Sequence, residues 1–247
     1  MIVDSMTLRE IHKELHDDLQ NLGGTLDNRL QKFRTAVLKS SRYPVRRRYE
    51  CKSIVRKNRF FVMLTACKRG EWKDPNLEFY CIFDRPEGLY CALLDASGEN
   101  TFVLPPHFFA RYRERVIGGS GLSGLDMIHH FIGRVWGLTL TFIPDENQKG
   151  FASWDELFKE ERVDIMGVCP DGVLFGERKE GVYLIKTIVT ENMLFESQLD
   201  QYEDLYDHYY DMIYDVYPER VADYIIDLEP DYYRPREDLD LTIHDED

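Results

Sequence analysis

The chain has 247 residues, 43% hydrophobic and 13% aromatic, with a formal net charge of −14 at pH 7. That length supports a core without staples, and fifteen Tyr with fourteen Phe exclude an intrinsically disordered chain. No stretch reaches the roughly 20 apolar residues of a membrane helix, and MIVDSMTLREIHKELHDD at the start lacks the basic and apolar regions of a signal peptide, so a soluble protein of the cytoplasm with no membrane partner is expected.

The five cysteines, Cys51, Cys67, Cys81, Cys91 and Cys169, form no C-x-x-C pair and mostly sit in apolar runs, which reads as reduced core residues. The charge is unevenly spread. Residues 29–73 carry fifteen Lys or Arg against two acids, whereas residues 191–247 carry nineteen acids against three arginines. The basic segment, with Arg46, Arg47, Arg48, Arg56, Lys57 and Arg59, has two readings: a nucleic-acid contact surface, or a solvated face neutralised by the acidic end.

Helical spacing of Leu8, Ile11, Leu15 and Leu19, and then of Leu26, Leu30, Phe33 and Val37, predicts a helical hairpin broken at Gly23-Gly24. A basic linker, SSRYPVRRR, follows. Short apolar runs, SIVRKNRFFVMLTAC, LEFYCIFD, LYCALLD and TFVLP, then read as an antiparallel meander. PPHFFARYRERV opens on prolines that suit a first helical turn, and LDMIHHFIGRVWG gives a second helix. LTLTFIP, a short helix at SWDELF, VDIMGVC, and a hairpin of GVLFGER with GVYLIKTIV joined by KEG come next. From Thr190 a long acidic helix is expected, capped by Thr190 or Asn192, its tyrosine-rich stripe serving packing. The organisation expected is therefore α+β: a helical hairpin over 1–42, an antiparallel sheet with packed helices over 43–228, and an acidic tail over 229–247.

Several motifs are read as structural. His12 and His16 lie four apart, but HKELH is not H-E-x-x-H and spacing suggests no third ligand, so a solvated helix and no metal or other cofactor is expected. His129 and His130 are adjacent and point apart on a helix. GGSGLSG over 118–124 lacks the Lys-Ser/Thr of a phosphate loop and reads as a connector, and no G-x-S-x-G occurs.

PPHFFARYRER carries the strongest chemical signal. On a helix His107, Arg111 and Arg115 share a face while Arg113 points elsewhere. That column sets a group titrating near neutrality beside two forked cations, which suits gripping a phosphodiester and moving a proton next to it. The cations would depress the imidazole pKa and leave a neutral base. Pairing of the arginines with Glu114 on a surface helix is the alternative.

This H-x3-R-x3-R helix resembles the signature of phage- and mobile-element-associated proteins grouped with barnase, EndoU and RelE-like ribonuclease toxins. The likeness is close over about ten residues and loose over perhaps eighty. It implies a helix packed on an antiparallel sheet whose later strands present polar residues, here Lys186 and Thr187, to RNA. It further implies metal-independent cleavage, with His107 or Lys186 activating the ribose 2′-hydroxyl and Arg111 and Arg115 stabilising the phosphorane. The chain departs from that group in its length, in residues 1–100 and in its acidic end. Two other functions fit the sequence: a non-catalytic interaction protein that binds a protein partner or itself as a homodimer, and a nucleic-acid-binding accessory factor using the basic segment.

Overall fold

The computed structural model describes residues 1–95, 99–118, 121–143 and 161–227, and the backbone of 245–246. The fold is α+β. The chain divides after Phe102 into two compact units, so the helical hairpin belongs to the first of them.

In the first unit, α1 (Leu8–Leu19) starts in a capping box: Glu10 N donates to Thr7 Oγ1 at 3.2 Å, and Thr7 N donates to Glu10 Oε2 at 2.8 Å. Ile11 and Leu15 bury its apolar face. Gly23-Gly24 does not interrupt the chain as expected. A 3-10 turn, Gln20–Leu22, leads directly into α2 (Gly23–Lys39). Burial of Leu22, a gain of about 1.5–3 kcal/mol, offsets two glycines at about 1 kcal/mol each.

The expected basic linker is instead a strand, since VRRRYECK forms β1 (Val45–Lys52). It starts an antiparallel meander with β2 (Arg59–Ala66), β3 (Asn76–Arg85) and β4 (Gly88–Leu94). Strand β5 (Thr101–Leu104) then carries the chain across the division between the units.

Among the described residues, the second unit repeats the order of two helices followed by four strands. Its elements are α3 (Pro106–Arg115), α4 (Gly124–Arg134), β6 (Thr139–Ile143), β7 (Arg162–Cys169), β8 (Gly172–Lys179) and β9 (Val182–Val189), the strands paired antiparallel in sequence order. The β8–β9 turn has positive φ at both Glu180 (56°) and Gly181 (82°), the conformation that matches hairpin twist. The acidic helix α5 (Glu196–Val216) begins later than expected, since Glu191–Met193 forms a separate 3-10 turn. Its Leu205, Tyr209 and Ile213 are buried, and after Pro218 a further helix, α6 (Glu219–Ile226), follows. A two-residue strand, β10 (Asp245–Glu246), pairs parallel to β1 at Arg48 and Tyr49. The expected helix at SWDELF, Gly119 of the glycine-rich connector and residues 229–244 of the acidic tail lie outside the described residues.

All five thiols are free, four of them buried and Cys67 half-buried. Among the described residues, no helix is long and apolar enough to cross a membrane.

Candidate functional site

Helix α3 is fixed by its apolar side. Pro105 and Pro106 set its first turn, and Phe108, Phe109 and Tyr112 are buried. Their rings stand edge-on to Phe131 of α4, with centroids 5.0, 6.2 and 5.1 Å away. His107, Arg111 and Arg115 each precede a buried residue, Phe108, Tyr112 and Val116, by one position, so the column runs along the margin of the packed face.

That margin faces β9. Arg115 Nη1 donates to Thr187 Oγ1 and to the Ile188 carbonyl, both at 3.0 Å. Lys186 lies close enough to His107 to depress its pKa. Partial desolvation of the ring, on a residue that is otherwise exposed, is the larger cause of that depression, and Arg111 adds to it. His107 is thereby biased to the neutral imidazole in which one ring nitrogen accepts a proton. The five residues singled out from the sequence, His107, Arg111, Arg115, Lys186 and Thr187, thus meet on two adjacent elements.

A β-bulge sets the strand side of this arrangement. Gly176 pairs with Ile185 and Phe175 with Thr187, which leaves Lys186 as the extra residue. Two consecutive residues of a regular strand face opposite sides, whereas here Thr187 accepts from Arg115 of α3 and the charge of Lys186 acts on His107 of the same helix. Gly176 is required for it: a Cβ there would stand 2.1 Å from the Leu184 carbonyl oxygen.

The cations are not idle. Lys186 Nζ donates to Glu177 Oε2 at 2.6 Å, and Arg162 Nε donates to the same oxygen at 2.7 Å. Arg111 pairs with Glu114 at 2.7 Å, the surface pairing that the sequence allowed as an alternative. An exposed pair of that kind contributes about 0.2–1 kcal/mol, so a phosphate oxygen can displace Glu114 at small cost. Arg115 spends Nη1 on the strand, which fixes its guanidinium.

No family model, no curated protein and no solved structure matches this chain. The site therefore rests on its own geometry.

Two features escaped the sequence reading. Glu177, nearly buried, is the carboxylate that holds Lys186. Behind α3 lies a polar network: Tyr112 Oη donates to Asp171 Oδ2 at 2.6 Å, Arg134 Nε donates to Asp171 Oδ1 at 2.6 Å, and Tyr112 Oη lies 3.0 Å from His130 Nδ1. Burial, then the charge of Asp171, pushes the Tyr112 phenol well above its ordinary range. His130 is pushed below its ordinary value, chiefly by burial. Asp171 sits in a Pro-Asp-Gly sequence that reads as turn chemistry, and nothing local announces that its carboxylate turns inward.

The basic segment is arranged otherwise than expected. Arg46, Arg47 and Arg48 are buried on β1, Arg46 donating to Glu78 Oε2 at 2.6 Å. Arg56 pairs with Glu14 and Asp17, Arg59 with Glu50 at 2.9 Å, and Lys57 is exposed at a positive φ of 58°. Burial removes the three consecutive arginines from any continuous phosphate-contact surface, and carboxylates of the same unit, Glu14, Asp17, Glu50 and Glu78, pair with Arg46, Arg56 and Arg59. Among the described residues no group of three or more His, Cys, Asp or Glu is arranged to hold a metal ion.

Proposed function

We propose that the α3–β9 column is a phosphodiester site for metal-independent RNA cleavage. The observation that carries this is the convergence of one imidazole, depressed by partial desolvation and by its cationic neighbours, with Lys186 and Arg111 beside it. Neutral His107 takes the proton of the ribose 2′-hydroxyl as the 2′-oxygen bonds to phosphorus. Arg111 and Arg115 meet the charge on the phosphorane oxygens. The bond from phosphorus to the 5′-oxygen breaks, and that oxygen takes a proton from the Lys186 ammonium. The products are a 2′,3′-cyclic phosphate and a 5′-hydroxyl end, after which solvent restores both protonation states.

Purified protein incubated with RNA in excess chelator should yield 2′,3′-cyclic ends by mass spectrometry, and His107→Ala should not. His107 is exposed, so the variant keeps the fold. Absence of cleavage by the wild-type chain would overturn this reading in favour of a second, protein docking. The observation favouring docking is that Phe195, 74% exposed, and Met193 and Val216 present apolar surface at the two ends of acidic helix α5.

A further inference from the structure

The first unit holds a pair of histidines that the proposed RNA chemistry does not use. His12 and His16 lie one turn apart on α1, are half-buried rather than solvated, and have ring centroids 4.4 Å apart. Both aim at one atom: His12 Nδ1 is 2.8 Å and His16 Nε2 is 2.9 Å from Thr101 Oγ1. A hydroxyl has a single proton, so it donates to one imidazole and accepts from the other. Each ring can carry its proton on the nitrogen that faces away, which leaves a lone pair on His12 Nδ1 or on His16 Nε2 toward the shared point. Asp95 completes the surroundings, and its negative charge acts on both rings. Asp95 Oδ2 accepts from Asn100 Nδ2 at 2.6 Å, which ties the carboxylate to the residue before Thr101.

We infer that His12 and His16 form a two-imidazole site for a divalent transition-metal ion of the zinc class. With both ring protons on the nitrogens facing away, His12 Nδ1 and His16 Nε2 are free to ligate, and rotation of the rings brings them to the roughly 2.0–2.1 Å that zinc requires. Thr101 Oγ1 or water fills the remaining positions. The ion would replace the hydroxyl-centred contact and clip α1 to the segment bearing Asn100 and Thr101. The short spacing and the shared oxygen identify the site; the H-E-x-x-H pattern of a zinc protease plays no part in it. Because the proposed RNA cleavage runs in excess chelator, the two proposals fail separately.

The test is calorimetric titration of the full chain with zinc chloride in metal-free buffer at pH 7.5, beside His12→Gln, His16→Gln and, as a control, His208→Gln, at an exposed position of helix α5. The expected result is one saturable zinc per chain, with affinity reduced at least 10-fold in either α1 variant and unchanged in the control. Cu2+ electron paramagnetic resonance of the wild-type chain provides a readout independent of variant folding, with two imidazole nitrogens expected on the ion. No saturable zinc binding, binding unaltered by both α1 substitutions, or a copper signal with one nitrogen would each overturn the assignment.

Discussion

Replacing Asp171 by alanine perturbs the scaffold behind the α3 column, and its cost can be worked from the contacts. The carboxylate is 1% exposed and accepts from Tyr112 Oη and Arg134 Nε at 2.6 Å and from Arg134 Nη2 at 2.5 Å. Its removal strands the Arg134 guanidinium, 3% exposed, without its carboxylate. Breaking a buried ion pair in this way costs about 3–5 kcal/mol. Tyr112→Phe removes one hydrogen bond to a charged acceptor and should cost about 1.5–3 kcal/mol. The double variant Asp171→Leu/Arg134→Met takes out both charges and should be much less damaging than either single removal suggests. Urea unfolding followed by tryptophan fluorescence is the assay, since Trp136 is buried in the same unit. A loss below about 1 kcal/mol for Asp171→Ala would refute the reasoning, because that is the range of an ordinary surface change. So would a double variant whose cost equals the sum of the singles.

Further outcomes follow from the same contacts. Gly176→Val should cost about 1–3 kcal/mol or more, since the added Cβ meets backbone 2.1 Å away, and it should also shift the NMR signals of Lys186 and His107. A variant as stable as wild type would mean that the bulge does not need glycine. Lys186→Met removes a cation that depresses His107, so the His107 ring should titrate at higher pH by NMR; an unchanged titration would separate the two residues. His12, His16 and His130 are all held below their ordinary 6.5, chiefly by burial. The unfolded chain then takes up protons first as pH falls, so stability is full above about 6.5 and declines below it. Urea midpoints at pH 7.5 and 5.5 should differ in that direction, and less in His16→Gln; a flat profile would contradict the burial.

What was legible in the sequence followed from periodicity. Ile11 and Leu15 on α1, Phe108 and Tyr112 on α3, and the meander over β2–β4 each carry a clear apolar repeat. The column His107, Arg111 and Arg115 was legible because helical spacing alone decides which side chains share a face. Lys186 and Thr187 were harder to place, since their common approach to α3 depends on the bulge opposite Gly176. Three arginines in a row read as a solvated linker because a buried guanidinium needs a partner distant in sequence, and Glu78 lies 32 residues from Arg46. Asp171, Arg134 and Tyr112 were invisible for the same reason. The inward turn of a carboxylate after Pro170 is a tertiary fact. His12 and His16 were seen as a pair, but their common focus on Thr101 depends on where β5 starts, 85 residues beyond His16.

The most direct test of the proposed chemistry uses a DNA oligonucleotide carrying one ribonucleotide, with excess chelator. The account predicts a single cut at that ribonucleotide, leaving a 2′,3′-cyclic phosphate, and none with His107→Ala. Cleavage at deoxy positions, cleavage that survives His107→Ala, or an intact strand with wild-type protein would contradict it.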